Sequence, residues 1–76
     1  MPEKETRTTA TFPVEREDGS QEVVIEKTTF LIHKGDGYEA AIQMEWFLNG
    51  DSLIRDPTDK DVFRKGITGE TFRKLR

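Results

Sequence analysis

Ala10, Phe12 and Val14 fall on alternate positions between polar neighbours. That is the period of a strand with one buried face, and Pro13 inside the run points to an edge strand. Glu17, Asp18, Gly19 and Ser20 follow as a turn cluster, whose Asp-Gly pair accepts positive φ readily, so a hairpin is expected. Its second arm, Gln21 to His33, holds Val23, Val24, Ile25, Thr28, Thr29, Phe30, Leu31 and Ile32, a β-rich run with no helix former at its centre. Two glycines around Asp36 break it.

The segment Tyr38 to Leu48 supports two readings. As a strand it puts Tyr38, Ala40, Ile42, Met44, Trp46 and Leu48 on one face, leaving Ala41 and Phe47 on a mostly polar side with Glu39, Gln43 and Glu45. As a helix it has Asp36 as N-cap, Glu39 three residues on and Asn49-Gly50 at its end. Glu45 would then interrupt the apolar arc, which favours the strand. Leu53 and Ile54 form a short strand that Asp56-Pro57 terminates. Thr58 and Asp61 have capping-box spacing, which predicts one or two helical turns closed by Gly66. Thr71 to Leu75 is then a short final strand or a loose helical end.

The predicted fold is mainly β, a small antiparallel meander of four to five strands. They cover about 9–16, 21–33, 38–48, 52–55 and, as the fifth, 71–75, with a short helix near 58–65. The alternative is α+β, with 38–48 as a helix. Residues 1–8, polar and without apolar period, are expected to be a flexible N-terminal segment, and 9–76 a single small domain.

With 76 residues and a third of them apolar, the chain buries only about 60% of its unfolded surface, so one marginal core is all it can build. No cysteine is present to staple it, which leaves oligomerisation as the simplest added stabiliser and is compatible with a reducing compartment. Met1 to Thr11 has no apolar run that could act as a signal peptide, and no segment has the ~20 apolar residues of a membrane helix. A soluble cytoplasmic protein without membrane association is expected.

Residue types suited to catalysis are sparse. The single histidine, His33, ends a predicted strand beside Lys34, where a solvated imidazole is the simplest role, and zinc requires several nitrogen or sulfur ligands. Asp56, Asp59 and Asp61 cluster, but a calcium loop counted from Asp56 would need glycine where Asp61 stands and glutamate where Ile67 stands. Acidity at a helix start explains them more simply. No catalytic residue, metal site or cofactor is assigned, and no enzymatic function is expected.

Trp46, in phase with apolar neighbours, belongs with the core, whereas Phe47 faces away from it and is the foremost candidate for an interface. Charge is uneven: residues 1–61 carry fourteen acidic and seven basic side chains, whereas 62–76 carry Glu70 against Arg64, Lys65, Arg73, Lys74 and Arg76. Those five cations could contact phosphates, but a net charge of −3 is unlike a nucleic-acid-binding domain. The expected function is therefore a non-catalytic protein-interaction or regulatory accessory module. Its partner is another protein or a second copy in a homodimer; the alternative is nucleic-acid binding through the basic C-terminal segment.

Overall fold

Alternation of apolar and polar residues carries through into structure. The computed structural model describes residues 3–75 and places them in β1 (Glu3–Arg16), β2 (Gln21–His33), β3 (Tyr38–Leu48), β4 (Asp51–Arg55), β5 (Val62–Lys65) and β6 (Thr71–Lys74). Every strand pairs antiparallel with the next, and β6 returns to β1, which closes a six-stranded barrel. The fold is mainly β as expected, a closed barrel rather than an open meander.

The turns follow their local chemistry. At the first hairpin the Asp18 carboxylate accepts from the Ser20 amide at 2.9 Å and the Ser20 hydroxyl at 2.6 Å, while Gly19 takes φ +88°. Asn49 and Gly50, at φ +49° and +85°, form a two-residue link between β3 and β4. Positive φ at both positions matches the right-handed twist of the flanking strands, and Asn-Gly is the pair that tolerates it. This supports Tyr38–Leu48 as a strand, against the helical alternative.

The expected helix near 58–65 is absent. Asp56 Oδ1 accepts from the Thr58 amide at 2.8 Å, the Thr58 hydroxyl at 2.7 Å and the Asp59 amide at 3.1 Å. This is the hydrogen bonding of a helix cap used to close a turn, and Asp56 N–H then donates to Val62 C=O at 2.8 Å. Phe63 decides the outcome, since in a strand it drops into the core while Arg64 faces out. Residues 62–65 are therefore β5, a strand the capping-box spacing concealed. The N-terminal expectation also shifts, because β1 begins at Glu3 rather than near Thr9; β2 supplies a partner for every residue from Glu3 to Thr8.

Val14, Val24, Leu48, Leu53, Phe63 and Phe72 form the core, with Phe12 and Trp46 packed against it. Each of the six strands contributes one of these buried side chains, and β5 and β6 contribute the two largest, Phe63 and Phe72. At ~25 cal/mol per Å² such a core supports a marginal domain. The closing seam joins Val14–Arg16 to Phe72–Lys74. Arg16 covers that end of the barrel, its guanidinium bonded to Glu70 at 2.8 Å and Glu22 at 3.1 Å and placed 5.5 Å over the Phe72 ring.

The barrel uses only part of the first three strands. β4 pairs with β3 only over Trp46–Leu48, and β6 with β1 only over Val14–Arg16. Beyond these limits 3–9, 27–33 and 38–45 continue as a three-stranded arm, which draws the molecule out to 50 × 24 × 23 Å.

Candidate functional site

Side chains alternate across a strand, so residues in step with Val24 on β2 share its face and those in step with Val23 share the other. The Val24 face runs through Glu26, Thr28, Phe30 and Ile32, and the opposite face through Ile25, Lys27, Thr29, Leu31 and His33. Two irregularities modify this simple pattern: β1 shifts register between Thr8 and Ala10, and β3 shifts opposite Thr29 and Phe30, where Ile42 is the extra residue. Because of that extra residue, the single apolar face expected for β3 divides. Met44, Trp46 and Leu48 lie on the core side, whereas Tyr38 and Ala40 pair with His33 and Leu31 on the other.

Glu26 lies where barrel meets arm. Its Oε2 accepts from Trp46 Nε1 at 3.1 Å and its Oε1 from the Thr9 hydroxyl at 2.8 Å; Thr9 and the buried Thr28 also pair hydroxyl to hydroxyl at 2.8 Å. One side chain thus links β1, β2 and β3 at the end of the core. Sequence reasoning missed this role, although an acidic residue in phase with Val24 and Phe30 was the available signal.

Farther out, the Arg7 guanidinium donates to Glu39 at 2.9 and 3.1 Å, pairs with Glu5, and lies 4.9 Å over the Phe30 ring. These contacts tie β1 to β3 across β2. They hold the Glu39 carboxyl below its ordinary pKa, chiefly through the hydrogen bond from Arg7. On the opposite face the Thr6 and Thr29 hydroxyls meet at 2.9 Å, and the His33 and Tyr38 rings lie 5.7 Å apart.

Phe47 lies on the outer wall, paired with Ile25 on β2 and Ser52 on β4, with Lys27 Nζ 5.4 Å from its ring centroid. Val23 and Ile25 are exposed on the same wall. Trp46 packs against the core as expected, 5.5 Å from Phe63.

The basic candidates do not gather on one face. Arg64 and Arg73 project from the wall in register with Thr71 and Val62, and Arg73 pairs with Asp59 at 3.3 Å. Lys65 pairs with Asp51 at 2.9 Å, and Lys74 lies 4.6 Å from the Phe12 ring centroid. Arg76 lies outside the described residues.

Among the described residues no group of three or more His, Asp or Glu side chains is placed to hold a metal ion, and no helix is long and apolar enough to cross a membrane. Asp56 directs its oxygen at its own turn, and the hydrogen bonds from the Thr58 hydroxyl and amide, then the Asp59 amide, lower its carboxyl pKa.

Among the side chains the arm leaves uncovered are three large apolar ones. Tyr38 is 57% exposed, Ile42 48% and Met44 44%. From Tyr38 to Glu45 the outer edge of β3 has no neighbouring strand, and from Glu3 to Phe12 neither has the outer edge of β1, whose Pro13 C=O accepts from Leu75 N–H at 3.0 Å. Such an arrangement can pair backbone with another polypeptide while burying alternate side chains. Comparison with protein-family models, curated proteins and solved structures returns no match.

Proposed function

We propose that the chain is a non-catalytic protein-interaction module that docks through its three-stranded arm, with the outer wall around Phe47 as the adjoining surface. The observation that carries this reading is a sheet without a covering layer that nevertheless exposes Tyr38, Ile42 and Met44. A three-stranded sheet gains its stability by packing one face on something. Here the barrel does so for the inner part of β1, β2 and β3, and the arm extends past it.

Shape supports the same reading. The radius of gyration is 14.7 Å, against roughly 11 Å for a compact domain of this length. The accessible surface is 5422 Å², against about 4,800 Å² for a compact monomer of this mass. The excess, on the order of 600 Å², approaches one partner's share of a standard interface, about 800 Å². The proposed setting is cytoplasmic, since a chain with no cysteine gains nothing from an oxidising compartment.

The test is capture on the immobilised full chain, comparing wild type with Tyr38→Ser/Met44→Ser in the arm and Phe47→Ala on the wall. Trp46 fluorescence shows that each variant retains its barrel. The arm variant should lose bound polypeptide, a second copy of the chain included, and Phe47→Ala should weaken binding. Undiminished capture by the arm variant, or no associated polypeptide of any kind, refutes the reading.

A further inference from the structure

The two bare edges of the arm differ. On β1 the outer stretch contains Glu3, Lys4, Glu5 and Arg7, and a row of charges on an edge strand opposes pairing with another chain. On β3 the stretch from Tyr38 to Glu45 has only Glu39 and Glu45, and each already has a counterpart within the chain. Arg7 holds Glu39, while Glu45 accepts from Gln43 Nε2 at 2.9 Å and lies opposite Lys27. The β3 edge is therefore less charged than the β1 edge, and five of its eight residues, Tyr38, Ala40, Ala41, Ile42 and Met44, are apolar.

We infer that the occupant of this edge is a second copy of the chain, the two β3 strands pairing antiparallel about a two-fold axis at Ala41 and Ile42. This rests on the arm being the docking surface and names what docks there. Register selects this pairing. A two-fold axis perpendicular to the sheet keeps each side chain on its own face, and opposed residues must share a face. In a regular strand, an axis falling between two residues would violate that condition, because opposed positions would differ by an odd number. The extra residue Ile42 removes the mismatch.

With the axis there, all eight residues are used. Tyr38 meets the Glu45 position of the other copy, Glu39 meets Met44, Ala40 meets Gln43 and Ala41 meets Ile42. Tyr38, Ala40, Gln43 and Glu45 lie on one face, and Glu39 and Met44 on the other, so these opposed pairs match. No carboxylate faces another. Moving the axis half a residue toward the C-terminus, onto Ile42, would set Glu39 against Glu45 of the second copy. The pairing also joins two arms into one six-stranded sheet, which addresses the surface excess described above.

The cysteine-free sequence makes the test clean, since a single introduced thiol is the only one present. Across the proposed axis the two Ala41 Cα atoms lie roughly 5–6 Å apart at ordinary strand spacing, inside the ~4.4–6.8 Å range a disulfide spans. Sedimentation of the intact chain should show a concentration-dependent dimer. Mild oxidation should link Ala41→Cys into a covalent dimer at least about tenfold faster than Thr6→Cys on the β1 edge. Ile42→Lys sets two ammonium groups beside the axis and should weaken the dimer by at least about tenfold, whereas Thr6→Lys should leave it unchanged.

A monomer at every concentration, or faster linkage through Thr6→Cys, overturns the self-pairing. If the monomeric chain still captures a different polypeptide that Tyr38→Ser/Met44→Ser loses, the arm stands as a docking surface and only the second copy is refuted. If the arm variant changes nothing, both fall.

Discussion

Replacing Glu26 by alanine tests whether the junction of barrel and arm is held by one side chain. The substitution removes both carboxyl acceptors, leaving the Trp46 indole N–H and the Thr9 hydroxyl without them, while Thr28 keeps its contact with Thr9. A fully buried hydrogen bond to a charged group contributes about 1.5–3 kcal/mol. Glu26 and Trp46 are only half-buried, so water replaces part of each bond, and about 1 kcal/mol apiece is a fair allowance. The expected loss is about 2 kcal/mol, out of the roughly 4–11 kcal/mol typical of a domain this size. The midpoint of thermal unfolding should fall by about 8–16 °C.

Glu26→Gln keeps one carbonyl acceptor and should lose about half as much. Urea unfolding followed by Trp46, the sole tryptophan, measures both. Hydrogen exchange locates the damage, since amides of 27–33 should lose more protection than those of β5 and β6. A change below about 0.5 kcal/mol for Glu26→Ala, within the ordinary range for surface substitutions, would refute the junction argument.

Three further outcomes follow from the same structure. Phe63→Ala should cost about 3–5 kcal/mol and Phe47→Ala only about 1 kcal/mol, because one ring fills the core and the other lies on the wall; equal losses in urea would overturn the assigned faces. Gly50→Ala meets no atom within 4 Å, so its cost is that of placing a side chain at φ +85°, about 1–2 kcal/mol, and calorimetry showing no change would contradict that turn. The Asp56 carboxyl is depressed by its turn, so its stabilisation is complete above the ordinary aspartate pKa near 3.8 and is lost as pH falls through the lower folded value. Thermal melts below pH 4 should therefore decline more steeply for wild type than for Asp56→Asn, which accepts the same hydrogen bonds without titrating; parallel curves would exclude this contribution.

The long strands were legible in the chain because period-two alternation is a direct image of a barrel wall, and Asp18-Gly19 and Asn49-Gly50 mark two of its hairpins. Phe47 was also readable, since its phase against Trp46 already sets it outside. Three features were not legible, each for a physical reason. Val62 to Lys65 is too short to display a period, and Asp56 satisfies its turn with the bonding that begins a helix. Ile42 interrupts alternation without leaving any mark in composition, so Tyr38 and Leu48 seemed to share a face. The stretch from Glu3 to Thr8 is ordered against β2 through backbone pairing and polar side chains such as Thr6 and Arg7, which carry no hydrophobic pattern.

Closure of the barrel also sets an order of events. Five of the six strand pairings among the described residues link neighbours in the chain, and each can form as a local hairpin. The sixth joins Val14–Arg16 to Phe72–Lys74 through three residue pairs, across about three quarters of the polypeptide. Bringing such distant segments together costs roughly 2–3 kcal/mol more chain entropy than closing a tight turn. A nascent chain can thus assemble its hairpins early, but Phe63 and Phe72 remain open to water until the final strand arrives. The seam is then the natural place for the folded molecule to breathe, and the point at which two crowded, half-finished chains could trade their last strands.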